Sequence, residues 1–452
     1  MVKIKDQNQN SSDGYNEQSY WILTSIFSLA IIIIPFQNTA LQFTPLRYLG
    51  ASPSFLPIAI FCLFAFIIRI SNSNISKKPE LLFLLFLTYS IIPTIWGIII
   101  IDANDISLKF LLQKTITNTI LNILLLYPIF IMPKPTKMIR LAILVALGIS
   151  IAGYILVDIL GIFAFPSFFQ ASHAVTTPRG FSLEQSTFAA NIVTLCLVTA
   201  AISNKAIFKI IIIAIAIVFT VVITSSKGTM ICLIMALGLT FTFSNGKNIF
   251  FKILISILIV ALSWFVIGRL SERFSTDLAD STSSSTRSIL ILSSIPSVTQ
   301  NPFGVGYSGY IPAIIKYMYP TSEFMRNNLL PNTNMSELES YIQREGKQAL
   351  NIKAQFFEYL MVFGIPGLIV IIIFHIKLYK IITKLPSDKS TYYLFLFWFT
   401  LLSLMTYMPA LGIYFYTIAY GIMLHANKYN ALTDTNHLTP QKQPPDNFII
   451  VP

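Results

Sequence analysis

Charge is scarce in this chain. Only 11% of its residues are Asp, Glu, Lys or Arg, against 54% hydrophobic, and the mean hydropathy is +0.70. A soluble domain carries about 25% charged residues, so a water-soluble globule is excluded and lipid is the expected solvent. Cysteine is nearly absent: Cys62, Cys196 and Cys232 stand singly inside apolar runs. That leaves no disulfide framework and no cysteine-based metal cluster, only packing thiols. Ten-residue segments of alternating polarity are missing, which excludes an outer-membrane barrel. No repeat of fixed period runs through the chain, and that argues against a two-halved transporter. The first apolar run lacks a small-residue cleavage site, so it is expected to be an uncleaved helix rather than a signal peptide.

What the chain does have is apolar runs of spanning length. Roughly twelve stretches of about 17–25 residues are expected to cross the bilayer as helices, because backbone polar groups in lipid must be satisfied within each segment. They lie near 20–37, 55–70, 81–101, 107–132, 141–163, 187–203, 208–224, 228–244, 253–268, 355–376, 391–408 and 411–426. The expected fold is all-α: a polytopic helical membrane protein with about 12 transmembrane helices and one large periplasmic loop. The divisions are an N-terminal tail (1–19), helices one to nine (20–267), the large loop (268–354), helices ten to twelve (355–426) and a C-terminal tail (427–452). Trp21, Trp96, Trp264 and Trp398 fall near span ends, where aromatic anchors are common.

Lys and Arg in the short connections set the orientation. With both tails cytoplasmic, the short inner segments collect 18 basic residues and the short outer ones keep five, namely Arg47, Lys109, Lys114, Arg179 and Lys227. The formal net charge of +12 is then topology signal and attraction to anionic head groups, and it calls for no nucleic acid.

Chemistry is expected at the outer face. A first outer loop (164–186) contains His173, Arg179-Gly180 and Glu184. Ser182 and Gln185 have capping-box spacing, with Glu184 in the first turn of the next helix. Two readings stand open: Arg179 pairs with Glu184 and fastens the loop, or its planar guanidinium faces phosphate oxygens. Ser225-Ser226-Lys227-Gly228 makes a tight outer turn, whose Lys227 either snorkels to water or adds a cation to the same site.

In the large loop, Thr286-Arg287-Ser288 precedes an apolar stretch that ends at Asn301-Pro302-Phe303-Gly304-Val305-Gly306. Gly304, Gly306 and Gly309 spell a dinucleotide-binding pattern, but no strand–turn–helix unit surrounds it. These glycines instead allow close approach of a ligand or another helix. Tyr307, Tyr310, Tyr317 and Tyr319 offer flat faces suited to sugar rings or to packing. Asp277 and Asp280 read as a solvated face rather than a metal site. Glu358 enters an apolar span beside Gln355 and ahead of Gly364-Ile-Pro-Gly367, and Asp158 closes an earlier one. A carboxylate there is costly and either pairs with a base or serves a function.

These blocks, in this order, resemble the O-antigen polymerase (Wzy-type) and O-antigen ligase superfamily of bacterial envelope glycan assembly. The resemblance rests on Arg179-Gly180 with Glu184, Ser226-Lys227-Gly228, Arg287 with Pro302-x-Gly304-x-Gly306, and Glu358 with Gly364-x-x-Gly367. It departs at Gln185, where the family often has Pro, and at Lys227, where it often has Arg. Ligases carry a histidine in the large loop or its exit, whereas residues 268–354 hold none, which favours the polymerase branch.

The resemblance implies a metal-independent glycosyltransferase of the bacterial inner membrane, active at the periplasmic face, with no cofactor. Its substrates would be undecaprenyl-pyrophosphate-linked oligosaccharides, and its partners a chain-length regulator and a flippase. Arg179 and Arg287 would stabilise the leaving diphosphate, with Lys227 as a third cation. Glu184, Glu358 or His173 would orient or deprotonate the acceptor, and Gly304, Gly306, Tyr307 and Tyr310 would contact sugar. A lipid-linked oligosaccharide flippase is the rival from another class. Its binding residues would lie at mid-membrane, whereas the ionisable residues here gather toward the outer face.

Overall fold

The structure is a computed structural model. It describes residues 17–37, 39, 41, 52–72, 75–100, 106–133, 136–162, 178–182, 184–244, 282–329, 331, 333–343, 350, 352–409 and 414–427. Among these the chain is all-α, with no strand. A first group of helices comprises α1 (Glu17–Ile33), α2 (Phe55–Ser71), α3 (Lys78–Ile100), α4 (Leu108–Ile131), α5 (Lys137–Gly153), α6 (Gln185–Ile202), α7 (Ala206–Val218) and α8 (Lys227–Phe243). A second comprises α9 (Thr282–Gln300), α10 (Gly306–Asn328), α11 (Ser336–Gln343), α12 (Gln355–Thr383), α13 (Ser387–Thr406) and α14 (Phe415–Leu424). Helix α5 runs on into a π turn, Tyr154–Ile159, and α7 into a second, Phe219–Thr224.

A helix occupies every expected span except 253–268, which lies outside the described residues. Six helical stretches are long and apolar enough to cross a membrane: Lys78–Ile99, Leu108–Ile131, Lys137–Ile159, Gln185–Ile202, Ala206–Thr224 and Gln355–Thr383. Glu17–Ile33, Phe55–Ser71, Lys227–Phe243 and Phe415–Leu424 are shorter apolar helices.

Their packing separates bundle interior from lipid. Every residue of α6 from Thr187 to Ile202 is buried, so α6 is the central post. Its polar side chains turn inward: Thr199 donates to Leu195 O at 2.7 Å, and Asn191 reaches Ser150 Oγ at 3.4 Å. Helix α3 lies at the other extreme, with Leu84, Leu85, Ile91, Ile92 and Ile99 exposed as a lipid-facing stripe. One buried ion pair clamps α2 to α3, from Arg69 to Glu80, with the Tyr127 hydroxyl donating to the same carboxylate at 3.0 Å.

The segment expected as an external loop is, in its described part, a helical hairpin packed into the bundle. Helices α9 and α10 lie against each other and against α3, α4 and α12. Their tip is Asn301–Val305. The Tyr89 hydroxyl, midway along α3, donates to Phe363 O at 2.6 Å and Phe303 O at 3.2 Å.

At this same level α12 is broken at Gly364 (φ 64°, ψ −158°). Val305 N–H donates to Met361 O at 3.0 Å and Ile365 N–H to Pro302 O at 2.8 Å, so the tip takes up main-chain groups freed by the break. The approach demands glycine on both sides. A Cβ on Gly304 would fall within 3.0 Å of Val362 O and Gly364 N, and one on Gly364 within 3.0 Å of Pro302 O and Gly304 N.

The break also divides the core. Leu378 and Ile382 of α12 belong to the main cluster, built on α1, α2, α4–α8, α13 and α14. Met361, Val362 and Phe363 belong to a second cluster with Ile289, Leu290, Ile311, Ile314, Met318 and Leu338.

Candidate functional site at the junction of loop, turn and hairpin

The π turn after α5 is one floor of the site. Leu160 N–H donates five residues back to Ile155 O at 2.9 Å, and the wider turn swings Asp158 over the chain that follows. Asp158 Oδ2 accepts from the N–H groups of both Arg179 (3.1 Å) and Gly180 (2.7 Å). Gly180 is left-handed, at φ +51°. Its Cα packs against Phe188 and the backbone of Tyr154, so a side chain there would be both strained and crowded. Beneath it, the rings of Tyr154, Phe188 and Phe219 meet pairwise with centroids 5.6–6.5 Å apart, tying both π turns to α6.

Arg179 itself is 8% exposed. Burial draws its guanidinium down from its ordinary value, and the Asp158 carboxylate opposes that shift. An arginine remains cationic in such a setting.

The expected capping box is not formed. Helix α6 begins at Gln185 with Glu184 as its N-cap residue, and the Glu184 side chain makes no capping bond. The Gln185 side chain instead donates to Thr224 O in the second π turn. Nor does Glu184 pair with Arg179. It lies 4.0 Å from Lys353 Nζ, at the entry to α12. The reason is local geometry: in the extended N-cap conformation (φ −130°, ψ 149°) Glu184 projects outward and is half exposed.

The second π turn ends at Ser225, a left-handed non-glycine residue (φ 49°), and Lys227 opens α8. Ser226 Oγ and Thr229 Oγ1 are 2.9 Å apart, and Thr229 Oγ1 lies 2.8 Å from the Tyr407 hydroxyl. Gly228 rests on the Tyr407 ring so closely that a Cβ would overlap it. Tyr407 also lies within reach of the Arg287 charge. Arg287 sits in the second turn of α9, opposite Glu337 on α11. Burial pushes the Glu337 carboxyl up. Hydrogen bonds from Tyr341 (2.5 Å) and Thr286, with the charges of Lys353 and Arg287, outweigh it and hold the group below the usual carboxylate value.

Direct contacts run from the Arg179 turn, through α6 and the turn that precedes Lys227, to Tyr407, and the Arg287 charge acts on Tyr407 across space. The Arg287 and Lys353 charges both act on Glu337, and Lys353 Nζ lies 4.0 Å from Glu184. Asp158, Glu337, Lys353 and Tyr407 were missed as members of this junction. Their partners are remote in sequence, and only the outer position of Asp158 gave a signal.

The remaining expected residues fall elsewhere. Gly304 and Gly306 stand at the hairpin tip against α12 and Thr94. Tyr307 and Tyr310 are fully buried. The Tyr307 hydroxyl accepts from Asn122 Nδ2 at 2.5 Å and the Tyr310 hydroxyl from Ile352 N–H at 2.7 Å. The structure does not present these rings to a sugar. Glu358, in the first turn of α12, is 1% exposed, and its Oε2 has no hydrogen-bond partner. It feels the charge of Lys114 on α4. His173 lies outside the described residues. Among the described residues no three His, Cys, Asp or Glu side chains gather around one metal position.

Residues 212–372 match the family model described as O-antigen ligase, Wzy_C. The resemblance of this chain to the O-antigen polymerase and ligase superfamily thus has independent support. The matched stretch takes in Lys227, Arg287, the hairpin and Glu358, and stops short of Arg179 and Glu184. The chain is also 27% identical over 259 residues to an uncharacterized 49.5 kDa protein in cps region of Klebsiella pneumoniae. That alignment covers 57% of this chain and spans only 58% of the length of the relative.

Proposed function

We propose that this protein joins oligosaccharide repeat units carried on undecaprenyl pyrophosphate, as a polymerase of surface polysaccharide at the periplasmic face of the inner membrane. The observation that carries the reading is the junction itself. Two arginines and two lysines come from four separate segments, tied by contacts among the Arg179 turn, α6, the Lys227 turn and Tyr407 and by the charges of Arg287 and Lys353 on Glu337. Such a group suits an anion that no single segment could bind.

In the reaction, an acceptor hydroxyl oxygen attacks the anomeric carbon of the donor. The bond from that carbon to the diphosphate breaks, and the leaving group departs with the bonding electrons. Negative charge grows on the diphosphate, so fixed cations help most in the transition state. Arg179 and Arg287 serve that purpose, with Lys227 and Lys353 beside them. The acceptor proton passes to a carboxylate, for which Glu184 stands at the junction while Glu358 is buried away from it. The chemistry needs no metal and no cofactor. A chain-length regulator and a flippase are the expected partners.

A ligase that transfers finished glycan to lipid A core is the second reading, favoured by the description of the matched family. The absence of histidine from residues 268–354 weighs toward polymerase. Gel analysis of surface polysaccharide in a deletion strain separates the two. Loss of a polymerase leaves single-repeat products, loss of a ligase leaves lipid-linked polymer unattached, and an unchanged ladder rejects both.

A further inference from the structure

The Arg179–Gly180 turn is held from several sides, and only one of its restraints is a charge. Phe181 O accepts from Gln37 N–H at 3.0 Å, and the Phe181 ring stacks at 5.0 Å on Phe36. Ser182 N–H donates back to Arg179 O at 2.9 Å, closing the turn. Phe181 also covers Gly153 so tightly that a Cβ there would collide with it. Into this apolar seat the π turn that continues α5 delivers one carboxylate, Asp158, and it reaches that place because this last turn is π rather than α. Two N–H groups converge on one oxygen. Charge-assisted bonds of this kind are the strong ones, and a π turn at the end of a spanning helix is a recurrent mark of a functional position.

We infer that Asp158 is a positioning residue for the proposed transfer: its carboxylate, carried on the π turn, fixes the Arg179–Gly180 turn so that the guanidinium is presented to the donor diphosphate. Asp158 touches neither donor nor acceptor and acts through Arg179. The inference rests on the functional reading above. It adds a residue outside the stretch that matches the family model.

The test uses the full chain in lipid nanodiscs. It has two readouts: transfer from an undecaprenyl-pyrophosphate-linked glycan, and binding of undecaprenyl pyrophosphate alone. Asp158→Ala is expected to lower kcat/KM on the order of 10²-fold, the scale of a ~1 Å displacement of a catalytic group, and to weaken diphosphate binding. Asp158→Asn, whose amide oxygen still accepts from both N–H groups, should recover most of that loss. The double variant Asp158→Ala/Arg179→Ala should be no worse than Arg179→Ala alone, because both changes remove one device.

Should Asp158→Ala fail to fold, Asp158→Glu takes its place. The charge stays, the longer side chain shifts the turn, and kcat/KM should still fall. Wild-type rates in Asp158→Ala or Asp158→Glu, or losses that multiply in the double variant, overturn the inference while leaving the function standing. An Arg179→Ala protein that binds and transfers normally overturns the functional reading instead.

Discussion

Arg287 and Arg179 reach the junction by different physical routes. Arg179 is seated in a crowded turn with Asp158 beneath it, whereas Arg287 rides on a helix and its charge reaches the Glu337 carboxylate. Each is expected to be indispensable. Arg179→Ala and Arg287→Ala should abolish long-chain glycan while the protein still inserts, and a normal ladder from both would remove them from the mechanism. Arg287→Lys should restore only part of the product, because a point charge replaces a planar fork.

Glu337 gives a pH signature. Its folded-state value lies below the ordinary one, so the stabilisation is present above the unfolded carboxylate value of about 4.3 and is lost as pH falls through the depressed one. Helix α11 should therefore loosen from α9 only as pH falls below the ordinary carboxylate range, as read by hydrogen exchange. Glu337→Gln should erase that dependence, and an unchanged profile would show that the carboxylate is not what titrates. At this scale the sequence displayed the cations and withheld their partners. Pairing of Arg179 with Glu184 is the economical guess from proximity along the chain, but an extended N-cap residue and a π turn redirect both side chains.

Among the elements, the hairpin was the least legible. Helix α9 carries Ser293, Ser294 and Ser297, all buried, within a stretch that reads as apolar but falls in the segment expected as an external loop. Two of these hydroxyls bond the helix itself, Ser293 donating to Ile289 O at 2.7 Å and Ser294 to Ile291 O at 2.6 Å, while Ser297 Oγ is buried with no hydrogen-bond partner among the described residues. The apolar runs were legible because nothing else satisfies a backbone in lipid.

The contact between hairpin tip and broken helix makes a sharp prediction. Gly364→Ala should cost about 1–3 kcal/mol for a backbone of positive φ and extended ψ that is nearly confined to glycine, and more because its methyl group would meet Pro302 O and Gly304 N. A lower midpoint of thermal unfolding in detergent is the expected result. An unchanged midpoint would mean that the break tolerates a side chain and the tip is not sealed.

For the molecule as a whole, the question is where the tip lies. It adjoins the middle of α3, and Phe303 is 65% exposed beside a helix whose outward residues are apolar. Facing lipid rather than water is the consistent reading. A Phe303→Cys variant should therefore resist membrane-impermeant maleimide from either side until detergent is added. The three native cysteines are all buried and give little background. Rapid labelling in intact cells would place the tip in an aqueous loop, as the polar composition of 268–354 first suggested.

One consequence of the broken helix concerns the order of synthesis. The hairpin is made before the α12 residues that accept and donate its main-chain bonds, and after α3 and α4, which flank it. Until residues 361–365 emerge, the carbonyl of Pro302 and the amide of Val305 have no such counterpart. A nascent chain stopped before α12 should hold α9 and α10 in a protease-sensitive form. The segment from α12 onward then acts as the fastener that admits the hairpin to the bundle.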